Sequence, residues 1–141
     1  MESILHGFEG DIELENLFKD MVRHFDNDRT FAEELWEEVE TAYTQTERHY
    51  HNLNHLVHML EEMLSILPEI EAPEEMFFSI IYHDIVYNVK RQDNEEKSAD
   101  MGMQRALDIG LGVKGAKLCH KQILATKAHS YSDNMDTNYL T

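Results

Sequence analysis

Apolar side chains recur at spacings of three and four residues along nearly the whole chain, which is the spacing of one helix face. No stretch shows a convincing apolar–polar alternation, and no Asn-Gly or Asp-Gly dipeptide marks a hairpin, so strands are not expected. A first helix is predicted over about residues 11–25, capped by Asp11, with Ile12, Leu14, Leu17, Phe18, Met21 and Phe25 as its inner stripe. A second, over about 28–45, has Asp28 as its expected N-cap and turns Phe31, Leu35, Trp36, Val39 and Tyr43 inward. A third, over about 50–67, carries Leu53, Leu56, Met59, Leu60, Met63, Leu64 and Leu67. Pro68 and Pro73 bracket the clearest break between helices. The fourth helix starts after Pro73 and is expected to run to about Asn88. After the polar loop NVKRQDN, a fifth runs from near Asn94 to near Gly110, with Gly110 and Gly112 as stop signals. A sixth runs from about Val113 to about His129, before a weakly patterned polar tail. The reading is an all-α bundle of about six helices in a single domain over residues 1–141.

Composition narrows the function classes. The 141 residues include 28 acids and 12 bases, a formal charge of −16. The whole deficit lies in residues 1–75, which hold 20 acids and 4 bases, whereas residues 76–141 hold 8 of each. Such a chain is repelled by a phosphate backbone, so binding a nucleic-acid polymer is not expected. No apolar run reaches about 18 residues, so no membrane partner is expected. A lone cysteine, Cys119, fits a reducing cytoplasmic setting and a place in the core. The glutamate-rich run EELWEEVE in the second helix reads as a solvated face.

Candidate chemistry begins in the fourth helix. Nine of the twelve residues in MFFSIIYHDIVY (76–87) are apolar or aromatic, so this helix belongs in the middle of the domain. An ionised Asp84 there needs a partner: a hydrogen bond, an ion pair or a metal. Its neighbour His83 diverges from it by roughly 100° if both are helical. The plain alternative is a capping Asp beside a core His. In the third helix, His51, His55 and His58 share one face at i, i+4, i+7, and the H-x3-H spacing is that of helical zinc sites. His49 lies off that stripe.

Four ordered segments carry a resemblance. Arg48, Tyr50, His51, Asn52 and His55 fit R-x-Y-H-N-x-x-H, and His83, Asp84, Val86 and Tyr87 fit H-D-x-V-Y. Asn94, Glu95, Ser98 and Ala99 fit N-E-x-x-S-A, and Thr126 and His129 fit T-x-x-H. Together they resemble the predicted metal-dependent phosphohydrolases of the HD-domain superfamily. The resemblance implies an HD-like helical fold and a divalent ion (Mn, Fe, Zn, Ni, Co or Mg) held by His55, His83 and Asp84, with His51 as a further candidate ligand. It implies hydrolysis of a small phosphate ester, a nucleotide being one choice, by a metal-activated water. Asp84 and Glu95 would be the catalytic carboxylates. Arg48, Asn52, Tyr87, Lys127 and His129 would contact substrate, the two cations offsetting phosphate charge. For Glu95, a plain role as a first-turn helix acid competes with catalysis, with Asn94 as the cap.

The family pattern also continues to a distal Asp ligand, in a D-x-x-x-L run followed by a D-A-D-L-like stretch. Asp136 and Leu140 fit the first part, and the chain stops at Thr141. Asp133, Asp136 or residues beyond 141 are therefore the choices for that ligand, and a domain lacking part of its natural C-terminus is one expectation. Two alternatives stand beside hydrolysis: an HD module that binds metal or nucleotide without catalysis, and an acidic helical domain that docks a basic partner. A homo-oligomer is compatible with each.

Overall fold

The computed structural model describes residues 13–26, 29–45, 52–88, 90–128 and 136. Among them the chain is all-helical, with helices α1 (Leu14–Phe25), α2 (Arg29–Tyr43), α3 (Leu53–Ser65), α4 (Pro73–Tyr82), α5 (Asn94–Asp108) and α6 (Val113–Ala128). A single 3-10 turn, Leu67–Glu69, leads from α3 toward α4. The expected caps Asp11 and Asp28 lie outside the described residues. No helix among the described residues is long and apolar enough to cross a membrane.

The hydrophobic periodicity decides which faces meet. On α1, Leu14, Leu17, Phe18, Met21 and Val22 are buried and pack on α2, where the Phe18 and Trp36 rings lie 5.8 Å apart, tilted by 49°. Pro73 is the first residue of α4, where its missing N–H costs nothing. Every α4 residue from Met76 to Tyr82 is buried, and the helix is packed by α3, α5 and α6. An apolar circumference can be satisfied only in this way, and it makes α4 the axis of the fold. Helices α5 and α6 form a tight hairpin. Gly110 (φ +88°) and Gly112 (φ +93°) adopt the left-handed backbone that lets α5 stop and the chain reverse.

Two expectations change. The fourth helix stops at Tyr82, well short of Asn88, so His83 and Asp84 lie in the turn after it. The glutamate run in α2 is not uniformly solvated. Glu33, Glu34, Glu37 and Glu40 are exposed, but Glu38 is half-buried. It accepts a bidentate hydrogen bond from Arg105 of α5, at 2.8 Å from Nη2 and 3.0 Å from Nε, and a third from the Tyr82 hydroxyl at 3.1 Å. Those bonds with Glu38 hold the Arg105 guanidinium well above its usual range. Desolvation, then Glu38, pushes the Tyr82 phenol well up, so it stays a donor.

Cys119 packs in the core as expected. Its thiol donates to the Glu75 carbonyl at 3.4 Å, and burial pushes its pKa up to about 12. It is therefore a packing residue rather than a nucleophile.

Candidate metal centre

Asn52 caps the start of α3, its side-chain oxygen accepting the backbone N–H of His55 at 3.1 Å. The motif asparagine thus anchors the helix turn that carries His55.

His83 and Asp84 follow the end of α4. The His83 N–H donates to the Ile80 carbonyl at 3.4 Å, and the His83 ring nitrogen Nδ1 lies 2.5 Å from the same oxygen. A carbonyl oxygen only accepts, so Nδ1 carries the hydrogen. The ring's other nitrogen, Nε2, points at Asp84 Oδ2 at 3.0 Å. Adjacent side chains on an α-helix diverge by roughly 100°. Here the α-helical bonding ends at Tyr82 and the two side chains meet in the turn that follows. A neutral imidazole Nε2 and a carboxylate oxygen are both acceptors, so a proton or a cation belongs between them.

His55 approaches from α3. Its ring centroid is 5.8 Å from that of His83, the planes tilted by 54°. One ligand atom from each of His55, His83 and Asp84 can be chosen so that all lie within 4.8 Å of one another. A tetrahedral ion with bonds of about 2.1 Å needs donors about 3.4 Å apart, so modest side-chain rotation closes the set. His83 is 6% exposed, and the other two are half-buried. Two imidazoles and a carboxylate, one imidazole fixed through its second nitrogen by a backbone carbonyl, form a donor set that fits a divalent ion.

The loop from His83 to Asn88 is stitched to neighbouring helices. The Tyr43 hydroxyl accepts the Asp84 N–H at 3.1 Å and donates to the Ile81 carbonyl at 2.6 Å. Ser98 Oγ accepts the Val86 N–H at 3.0 Å. The Asn94 amide pairs with both the N–H and the carbonyl of Asn88, at 3.2 and 2.9 Å. Asn94 is therefore the first residue of α5 rather than its cap; Asp93 occupies the cap position without a side-chain bond to the helix. The N-E-x-x-S-A segment thus holds the His-Asp loop in place through Asn94 and Ser98, while Ala99 is fully buried. Asn94 and Ser98 stand out in the sequence only as members of a motif segment and Tyr43 only as a core residue, because nothing in their spacing tells which loop they will meet.

The other expected site residues are placed as follows. Glu95 is half-buried in the first turn of α5. Tyr87 is half-buried in the loop. The exposed Lys127 ammonium bonds to Glu96 at 2.7 Å and to the Gln92 carbonyl at 2.8 Å, and the Glu96 bond raises its pKa. Arg48, His51, His129 and Asp133 lie outside the described residues.

Asp136 is 1% exposed. It accepts the backbone N–H groups of Glu71 at 3.0 Å and Ala72 at 2.7 Å. That places it at the start of α4, whereas His83 follows the end of the same ten-residue helix, about 15 Å along its axis. Asp136 therefore anchors the turn that leads into α4 and is not the distal ligand. Asp136→Ala is expected to cost about 1–3 kcal/mol of unfolding free energy, because two N–H groups lose a charged acceptor, read as a lower urea midpoint. An unchanged midpoint would remove the anchoring role. Comparison with known proteins supplies no relative: no family model, no curated protein and no solved structure matches this chain.

Proposed function

We propose that this chain is a metal-dependent phosphohydrolase acting on a small phosphate ester. The carrying observation is the convergence of His55, His83 and Asp84, from two separate segments, with ligand atoms within 4.8 Å of one another. The resemblance of the four motif segments to the HD superfamily supports the same reading. A bound divalent ion supplies polarisation of a phosphoryl oxygen and a water acidic enough to act as a nucleophile near neutral pH.

The chain's own residues prepare that chemistry. The Ile80 carbonyl holds the His83 ring with Nε2 toward Asp84, and Asp84 supplies the anionic donor. His51, four residues before His55 in the sequence, is a further candidate donor. Glu95, in the first turn of α5, is the proposed proton carrier. Arg48, Lys127, His129, Asn52 and Tyr87 are the proposed substrate contacts, with Lys127 exchanging its bond to Glu96 for phosphate.

Metal analysis of the purified full chain, reconstituted in turn with Mn, Fe, Co, Ni and Zn, tests the reading. About one equivalent of ion bound, together with metal-dependent cleavage of a simple aryl phosphate, is the expected result. No metal after every reconstitution would sink it. A second reading, metal binding without hydrolysis, is favoured by one observation: Asp136 is committed to the far end of α4, which leaves three ligands among the described residues. Stoichiometric metal without phosphatase activity on phosphate esters or nucleotides would select it.

A further inference from the structure

The end of α4 leaves two backbone groups that a continuing helix would satisfy. In such a helix the Asp84 N–H would donate to the Ile80 carbonyl, and the Ile81 carbonyl would accept from Ile85. Here the Ile80 carbonyl is occupied by His83, through both its N–H and its ring. The Ile85 N–H goes instead to Tyr82, at 3.2 Å. One side chain takes up both displaced groups. The Tyr43 hydroxyl donates its proton to the Ile81 carbonyl and accepts the Asp84 N–H. Tyr43 is the last residue of α2 and is 1% exposed, so water does not readily replace its hydroxyl.

We infer that Tyr43 is a positioning residue for the metal centre: its hydroxyl holds the turn after α4 that carries Asp84. This rests on the metal reading above. A phenylalanine fills the same space but leaves the Ile81 carbonyl and the Asp84 N–H without this partner. The least costly repair is for α4 to run on by a turn, which moves the Asp84 backbone out of its present place beside His83. The arrangement also explains why the helical pattern of residues 76–87 overruns the true helix end. The tertiary bond from Tyr43 overrides a local preference.

The test compares Tyr43→Phe with Tyr82→Phe, which removes a neighbouring buried hydroxyl whose partner is Glu38 rather than the His-Asp turn. Titration of the full chain with Co2+, followed by the visible absorption of the bound ion, reads both affinity and ligand geometry. Tyr43→Phe is expected to weaken Co2+ binding about 10–100-fold and to change the band pattern, as loss of an outer-shell support does. Tyr82→Phe is expected to leave both unchanged. Wild-type affinity and bands in Tyr43→Phe, or equal losses in the two variants, overturn the inference while leaving the metal reading intact. Absence of bands in the wild-type chain, together with no metal bound after reconstitution with the other ions, overturns the metal reading. Amide exchange in the metal-free proteins then decides the Tyr43 role separately. Faster exchange at Asp84 in Tyr43→Phe alone supports it, and wild-type exchange there overturns it.

Discussion

Asp84→Ala is expected to abolish metal binding while leaving the fold in place. The side chain contributes the only anionic donor of the three, so its removal leaves two neutral imidazoles facing a divalent charge. The loss in affinity should exceed the roughly 10–100-fold of an outer-shell change. The fold should survive because the tertiary hydrogen bond at this residue runs from the backbone N–H to Tyr43, which alanine retains. Calorimetric titration with the ion that loads the wild-type chain gives the affinity, and circular dichroism gives the fold control. Wild-type affinity in Asp84→Ala would show that the ligand assignment is wrong. Any metal-dependent phosphatase activity should vanish in the same variant.

Phe77→Ala is expected to lower the unfolding free energy by about 3–5 kcal/mol, the range for removing a fully buried aromatic ring. Phe77 is 0% exposed at the centre of α4, the helix that α3, α5 and α6 enclose. No exposed surface lets the neighbours collapse cheaply, so most of the vacated volume should persist as a cavity. A domain of this size is stable by roughly 5–15 kcal/mol, so the loss is a large share of the total. Phe77→Leu should cost much less, about 1.5 kcal/mol or below, because most of the volume is kept. Urea unfolding of the three proteins provides the comparison. A change below about 1 kcal/mol for alanine would show that α4 is not the packed axis described here.

The helices were largely legible because their signal is local. The stripe Leu14, Leu17, Phe18, Met21 and the stripe Leu35, Trp36, Val39, Tyr43 are buried as their periodicity requires. Pro73 at the start of α4 and Gly110 and Gly112 after α5 act at the positions their backbone constraints demand. The candidate ligands were legible as residue types, since histidine and aspartate in an apolar segment need an account wherever the chain goes. Their convergence was not. The hydrogen bonds that follow the end of α4 at Tyr82 include the tertiary ones from Tyr43, which no local pattern announces. Glu38 was misread for a similar reason. Its local pattern matches its exposed neighbours, and only the approach of Arg105 and Tyr82 sets it apart.

By itself the amino-acid sequence determined an all-helical chain, the inner faces of the first three helices, the burial of α4 and the pool of residues that could bind a metal. These follow from propensity, periodicity and the cost of burying charge, all of which act over a few neighbouring residues. Only the tertiary structure decided where α4 ends, that Asn94, Ser98 and Tyr43 hold the His-Asp loop, and that Asp136 anchors the turn before α4, at the end away from His83. Those outcomes are set by hydrogen bonds between residues 12 to 65 positions apart in most cases. Bonds of that reach exist only once the helices have packed, so no local pattern encodes them.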